Sequence, residues 1–348
     1  MKRLVVCLDG TWNRLDAPNP TNVVLMAQSV LDHAEDNTEQ VVFYDEGVGS
    51  GEGRLARVDR FLGGAFGAGL EKNVQDAYRF LCFNHHAGDE IYIFGFSRGA
   101  YTARSLAGLI RSCGIISRKH IDKTIIAQKY YQSAKIGPDD PAVIELRTDF
   151  GKEADVTFLG VWDTVGQRGI PKGFIFSALS AERYRFHDIK LSRIVKNAYH
   201  AVAIDEERRL FPVTLWESKV RPGQTVKQLW FPGVHGSVGG GGSERGLSNG
   251  ALHWLADAAQ NLGLELDQDM LKSAEFTPNH LAPLLNNPAG GNVFKKLVYW
   301  MRSVRDTPPA PENISESARR RWLEDATYRP EPLLKHKGAL DDPTGPEA

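Results

Sequence analysis

The feature that most constrains this chain is a short apolar run ending in a serine held between glycines. Residues 91–94, Ile-Tyr-Ile-Phe, lead straight into Gly95-Phe96-Ser97-Arg98-Gly99. After them Tyr101, Ala103, Leu106 and Ile110 recur at helical spacing as far as Cys113. The run reads as a buried strand and the sequel as a helix. A strand entering a helix through G-x-S-x-G makes a sharp turn that presents a strained, exposed serine at the strand end. The positions two residues to either side must then be small, and both are glycine. A glycine-rich turn with a merely capping serine is the plainer reading of the same residues.

The remaining elements alternate in type. Residues 4–8, 41–44, 156–161 and 229–231 read as further strands, residues 22–31 as a helix capped by Thr21 or Asn22, and residues 70–83 as an amphipathic helix. Several strands are continuously apolar, as expected of a mostly parallel sheet covered by helices on both faces. The expected fold is therefore α/β, of the α/β-hydrolase type. Residues 1–300 are expected to form one domain, with residues 301–348 as a C-terminal extension packed on it and ending in a frayed tail. Residues 166–186 are apolar without a period and read as a short lid or as an ordinary long connection.

The composition excludes several function classes. Of 348 residues, 42% are hydrophobic and 24% charged, with a formal net charge of −1, so no basic field points to nucleic acid or to an anionic membrane. Cys7, Cys82 and Cys113 are odd in number and each sits in an apolar segment, which suits buried free thiols in a reducing compartment. The apolar run after Met1-Lys2-Arg3 stops at Asp9, too short for a signal peptide, and no stretch approaches a membrane span. A cytoplasmic protein is expected, compatible with export by a leaderless route. No His, Cys and Asp set has metal spacing, and the glycines at 47–51 and 63–69 match no nucleotide-binding pattern, so neither metal nor cofactor is expected.

A serine hydroxyl needs a base to take its proton and a carboxylate to orient that base. On this fold those partners follow the serine in the order acid, then histidine. His85 and His86 precede Ser97, His187, His200 and His253 fall in segments that read as helix, and four others lie in polar or uncertain stretches. His235 follows a late strand in the glycine-rich run from Pro232 to Gly242, where a base belongs. Asp163 closes the strand at 156–161, and strand C-termini face the site in such sheets. Asp205 is the rival acid, in a charged context that suggests an ion-pair network. Donors for a developing oxyanion are expected from the backbone of Arg98 and from Gly10 or Thr11 after the first strand; a plain turn capped by Asp9 is the alternative there.

Several motifs in fixed order carry a resemblance. They are Leu8-Asp9-Gly10-Thr11-Trp12-Asn13, Thr21-Asn22-Val23, Gly95-Phe96-Ser97-Arg98-Gly99-Ala100, Gly160-Val161-Trp162-Asp163-Thr164-Val165-Gly166, Ala203-Ile204-Asp205-Glu206 and Trp230-Phe231-Pro232-Gly233-Val234-His235. From about residue 4 to 262 the chain resembles the DUF2235 family of α/β-hydrolases, which includes the Tle1-type phospholipase effectors of the type VI secretion system. The resemblance implies a catalytic triad of Ser97, Asp163 and His235. The chain departs from the family at Ser237, where Asp is usual, at Gly242, where Tyr closes the glycine run, and at Asn249, where Asp is common.

The expected activity is that of a serine esterase, cleaving a small-molecule or lipid carboxylic ester through an acyl-enzyme. A phospholipase acting on membrane lipids is the lipid-directed version, and a catalytically silent hydrolase-fold binding module is the alternative from another class. The acyl and alcohol groups and the oligomeric state are not legible.

Overall fold

The computed structural model describes residues 1–10, 16–47, 65–133, 135–165, 191–208, 211–217, 220–285 and 304–342. Thr11 and the segment 166–186 lie outside these residues. The strands are β1 (Lys2–Leu8), β2 (Glu39–Asp45), β3 (Glu90–Phe96), β4 (Ile115–Ile116), β5 (Gly151–Lys152), β6 (Val156–Trp162), β7 (Val195–Ala203) and β8 (Thr225–Phe231). Six of them form one sheet in the order β2-β1-β3-β6-β7-β8, with every neighbouring pair parallel. The α/β architecture read from the apolar runs is thus present. Strands β4 and β5 pair antiparallel as a separate two-stranded ribbon.

The alternation of side chains across β1 shows why its run is apolar throughout. Leu4, Val6 and Leu8 face one layer, and Val5 and Cys7 the other; all are buried. Helices cover both faces. Helix α1 (Asn22–Ser29) packs on the Val5 face, and α2 (Ala65–Asn84) and α3 (Arg98–Cys113) pack on the Leu4 face. Thr21 caps α1 by accepting from the Val24 amide. Helix α4 (Thr124–Gln132) and α5 (Pro141–Phe150) extend the Leu4 layer. Short helix α6 (His235–Gly239) leads into α7 (Gly246–Gln260), which lies beside α1 on the Val5 face.

Strand β7 differs from the sequence expectation, which puts His200 in a helix. The segment is alanine-rich and so scores well as helix. Val195, Ala198, His200, Ala201, Val202 and Ala203 are buried between β6 and β8, and that packing overrides local propensity.

The C-terminal segment closes the β7–β8 side. Ile314 bridges Trp230 of β8, and helix α8 (Glu316–Glu324) carries Ala318 and Trp322 onto Val202, Ile204 and Trp230. Trp230 and Trp322 are fully buried in this third apolar cluster. Cys7, Cys82 and Cys113 are buried and free.

Candidate active site

Strand order reverses at β1, whose neighbours β2 and β3 lie on opposite sides, and in such sheets the crevice beyond the strand C-termini is where ligands bind. Asp9, Ser97 and Asp163 directly follow β1, β3 and β6, and His235 lies four residues beyond β8. One end of the sheet therefore gathers residues from across the whole chain.

Ser97 sits between β3 and α3 with φ 59° and ψ −117°. Such a conformation costs a non-glycine residue about 1–3 kcal/mol and persists only where the surroundings enforce it. The enforcing contacts are steric. A Cβ on Gly95 would stand 2.5 Å from the Gly99 carbonyl oxygen, and one on Gly99 would stand 2.0 Å from that of Leu8. Both glycines are obligatory, as the turn reading requires. Among the described residues, the non-glycine positions with positive φ are Asn37, Ser97 and Asp163. Two of these three are residues singled out from sequence for chemistry.

Asp163 is fully buried and its carboxylate is held from three sides. Oδ1 accepts from the Ala203 amide at 3.0 Å, and Oδ2 takes His235 Nδ1 at 2.6 Å and Arg305 Nη2 at 2.6 Å. Burial on its own would raise the Asp163 pKa. The Arg305 guanidinium, then the His235 contact and the Ala203 amide, outweigh it and hold the carboxyl far below the usual carboxylate range.

The His235 ring lies between Phe96, at 4.6 Å between centroids, and Phe211, edge-on at 5.0 Å. Phe96 immediately precedes Ser97, so the imidazole packs on the strand end that carries the serine. Gly239 makes room for this: a Cβ there would lie 2.0 Å from the Phe96 ring. Burial lowers the His235 pKa and outweighs the hydrogen bond and charge of Asp163; Arg208 lowers it further, while Glu206 opposes. The imidazole is therefore neutral at neutral pH. The glycine-rich stretch expected to be loop opens as the short helix α6, with His235 as its first residue.

Asp205 is placed otherwise. Its Oδ2 accepts from the Gly233 amide at 2.6 Å and the Tyr328 hydroxyl at 2.9 Å, tying the turn before His235 to the C-terminal segment. Burial pushes its pKa up to about 6. Glu206, not singled out from sequence, accepts from the His235 backbone amide at 3.1 Å and from Arg208 Nε and Nη2 at 2.7 and 2.6 Å. Arg208 in turn lies over the Phe211 ring. His200 is neutral: burial pushes its pKa down to about 3, and its Nε2 accepts from the Thr164 amide at 3.0 Å.

Arg98 occupies the first turn of α3, where backbone N–H groups face an approaching anion. Gly10 is engaged within its own turn. Its amide, expected to serve an oxyanion, donates to Asp9 Oδ1 at 2.6 Å, while Asp9 Oδ2 accepts from Thr21 Oγ1 and Tyr44 OH. The Asp9 side chain thus captures that donor in a capped turn. Among the described residues no three His, Cys, Asp or Glu side chains are grouped as a metal site, and no helix is long and apolar enough to cross a membrane.

The sequence model of the type VI secretion system phospholipase effector Tle1-like catalytic domain matches residues 2–258. The chain belongs to this family. The Tle1-like match covers β1 through most of α7, and with them Ser97, Asp163 and His235, but not Arg305. Among curated proteins, the uncharacterized protein YEL023C of Saccharomyces cerevisiae is 28% identical over 229 residues, 60% of this chain and 32% of that protein. Among solved structures, an uncharacterized protein from Pseudomonas aeruginosa aligns with TM-score 0.43 and 18% identity, over 80% of this chain and 49% of that one. A Tle1 effector bound to the VgrG spike of the type 6 secretion system aligns with TM-score 0.41 and 19% identity, over 69% and 51%. This Tle1-like chain spans about half the length of those structures and a third of the yeast relative.

Ser237, where the family usually has Asp, is buried with its Oγ lacking a hydrogen-bond partner among the described residues. The turn around His235 is instead braced by Asp205 and Glu206.

Proposed function

We propose that this chain is a serine hydrolase that cleaves the carboxylic ester of a lipid, with Ser97 as nucleophile, His235 as base and Asp163 as the orienting acid. The observation that supports it most is that one end of the sheet holds both a strained serine at a strand–helix turn and a neutral imidazole whose Nδ1 is anchored on a buried carboxylate. With Nδ1 carrying its proton toward Asp163, Nε2 is the basic nitrogen and takes the Ser97 proton as Oγ attacks the ester carbonyl. The tetrahedral oxyanion is met by the Arg98 amide at the start of α3. Collapse expels the alcohol, which takes the proton from His235, and leaves an acyl group on Ser97. Water, deprotonated by His235, then attacks the acyl-enzyme and releases the acid.

The lipid character of the ester rests on family membership, since the model matched is that of a phospholipase effector domain. The test is a hydrolysis screen that sets p-nitrophenyl esters of increasing chain length beside vesicles of phosphatidylethanolamine and phosphatidylglycerol, with Ser97→Ala as control. Fatty-acid release from the vesicles, absent in the control, is expected. Turnover of short soluble esters alone would remove the lipid part of the proposal, and no turnover of any ester would favour a silent binding module.

A further inference from the structure

Arg305 is the least expected feature of the site. It comes from the C-terminal segment, outside the residues matched by the family model, yet its side chain is only 3% exposed. Its Nη2 stands 2.6 Å from Asp163 Oδ2, the same oxygen that receives His235 Nδ1. Its Nε and Nη1 are buried without a hydrogen-bond partner among the described residues. An ion pair optimised for stability would satisfy those N–H groups, because a buried guanidinium is costly unless its donors are used. This one directs its charge at a single oxygen and leaves the rest unspent.

The chain is folded so as to deliver it. Trp230 Nε1 donates to the carbonyl of Asp306, the next residue, at 3.2 Å. Beyond that, Ile314 and Trp322 are locked into the third apolar cluster against β7 and β8. Both anchors follow Arg305 in the chain and hold the segment that carries it against β8.

We propose that Arg305 is a positioning residue for the hydrolase site: it fixes the Asp163 carboxylate and offsets part of its negative charge, so that His235 gives up its proton more readily. The proposal rests on the serine-hydrolase reading for its purpose, but not for its physical content. An imidazole facing a buried, unneutralised carboxylate is stabilised as imidazolium and releases its proton reluctantly to the leaving alcohol; a cation on the far side of the same oxygen counters this. The charged groups facing His235 are Asp163 from the end of β6 and Glu206 with Arg208 from the segment after β7. Glu206 is held by Arg208, which leaves Asp163 as the carboxylate that a further cation must balance. His200, also near Asp163, is neutral and supplies no charge.

The experiment is a titration of the His235 imidazole by NMR in the full chain carrying ¹³C-labelled histidine, its resonance assigned through His235→Asn. It needs no substrate, so its outcome is independent of whether the chain hydrolyses esters. Arg305→Gln and Arg305→Met, which remove the charge, should raise the His235 midpoint by about 0.5–2 pH units, the span set by one charge about 5 Å away in a medium between water and protein surface. Arg305→Lys, which keeps the charge, should stay within about 0.3 unit of the parent. In hydrolysis assays the two neutral variants should show the same upward displacement of the pH–rate midpoint. An unmoved midpoint in folded Arg305→Gln or Arg305→Met overturns the proposal, as does equal displacement in Arg305→Lys. Failure of both neutral variants to fold would also overturn it, by making the guanidinium's role one of stability alone.

Discussion

Asp163 and His235 lie 72 positions apart in the chain, and their Oδ2 and Nδ1 atoms stand 2.6 Å apart in the fold. The contact joins the ends of β6 and of the segment after β8, two strands with β7 between them. It fixes which imidazole nitrogen carries the proton. Asp163→Asn would preserve the shape of the contact but reverse its donor and acceptor logic, turning the wrong nitrogen toward Ser97. Turnover should fall by roughly 10⁴-fold, as an Asp-to-Asn change does in a serine-protease triad. Asp205→Asn should instead leave turnover within about threefold, because its carboxylate braces Gly233 and Tyr328 and touches neither ring nor serine, and should act on the melting temperature. Measuring kcat and Tm on both variants checks this; the reverse pattern of losses would exchange the two roles.

The pH profile follows from the burial of the imidazole. In the proposed mechanism His235 must be neutral to take the Ser97 proton, and burial holds its pKa below 6.5 despite the opposing pull of Asp163. The kcat/KM should therefore rise with pH through a single ionisation with its midpoint below 6.5, and be flat above pH 7. A midpoint above 6.5 would contradict the balance of burial over the Asp163 charge.

A second histidine governs stability. The unfolded His200 takes a proton near pH 6.5, whereas the folded one resists until about pH 3. Between those values the unfolded state binds the extra proton, so stability is lost as pH falls from 6.5 toward 3. Asp205 runs the other way: raised to about 6, its contribution is fully present below 3.8 and is lost as pH rises through 6. The shift of His200 is the larger, so the net slope should follow it. The urea midpoint should rise from pH 5 to pH 7 in the parent, and should rise less or fall over the same interval in His200→Asn, where Asp205 is left unopposed.

Much of the candidate site is legible in the sequence because each of its residues is placed by a pattern with a physical cause. Ser97 lies between glycines at a strand–helix junction, Asp163 ends an apolar strand, and His235 opens a small-residue run after another. What was not legible depends on side chains meeting across the fold. Whether the Gly10 amide faces a substrate or its own neighbour is decided by the Asp9 carboxylate, which Thr21 and Tyr44 hold in place. Strand β7 was hidden by its alanines, since only burial on both faces shows that they form a strand. Arg305 carries no local signal: one arginine in a polar stretch, it acquires meaning only when the C-terminal segment docks beside β8.

The serine turn itself makes a steric prediction. A methyl group on Gly99 would overlap the Leu8 carbonyl oxygen at 2.0 Å, and backbone cannot yield there as a flexible side chain would. Gly99→Ala should cost about 3 kcal/mol or more, beyond ordinary overpacking, or prevent folding. Chemical denaturation of the purified variant reads this directly. A stable, fully folded Gly99→Ala protein would mean that the turn is looser than described.

The most direct test of the account is labelling with a fluorophosphonate, which reacts with a serine only when a base activates it. The folded chain should take up one adduct, mapped by peptide mass spectrometry to Ser97, and the adduct should vanish in Ser97→Ala and fall steeply in His235→Asn. No adduct on the folded protein, or one that persists in Ser97→Ala, would contradict the assignment of Ser97 as an activated nucleophile.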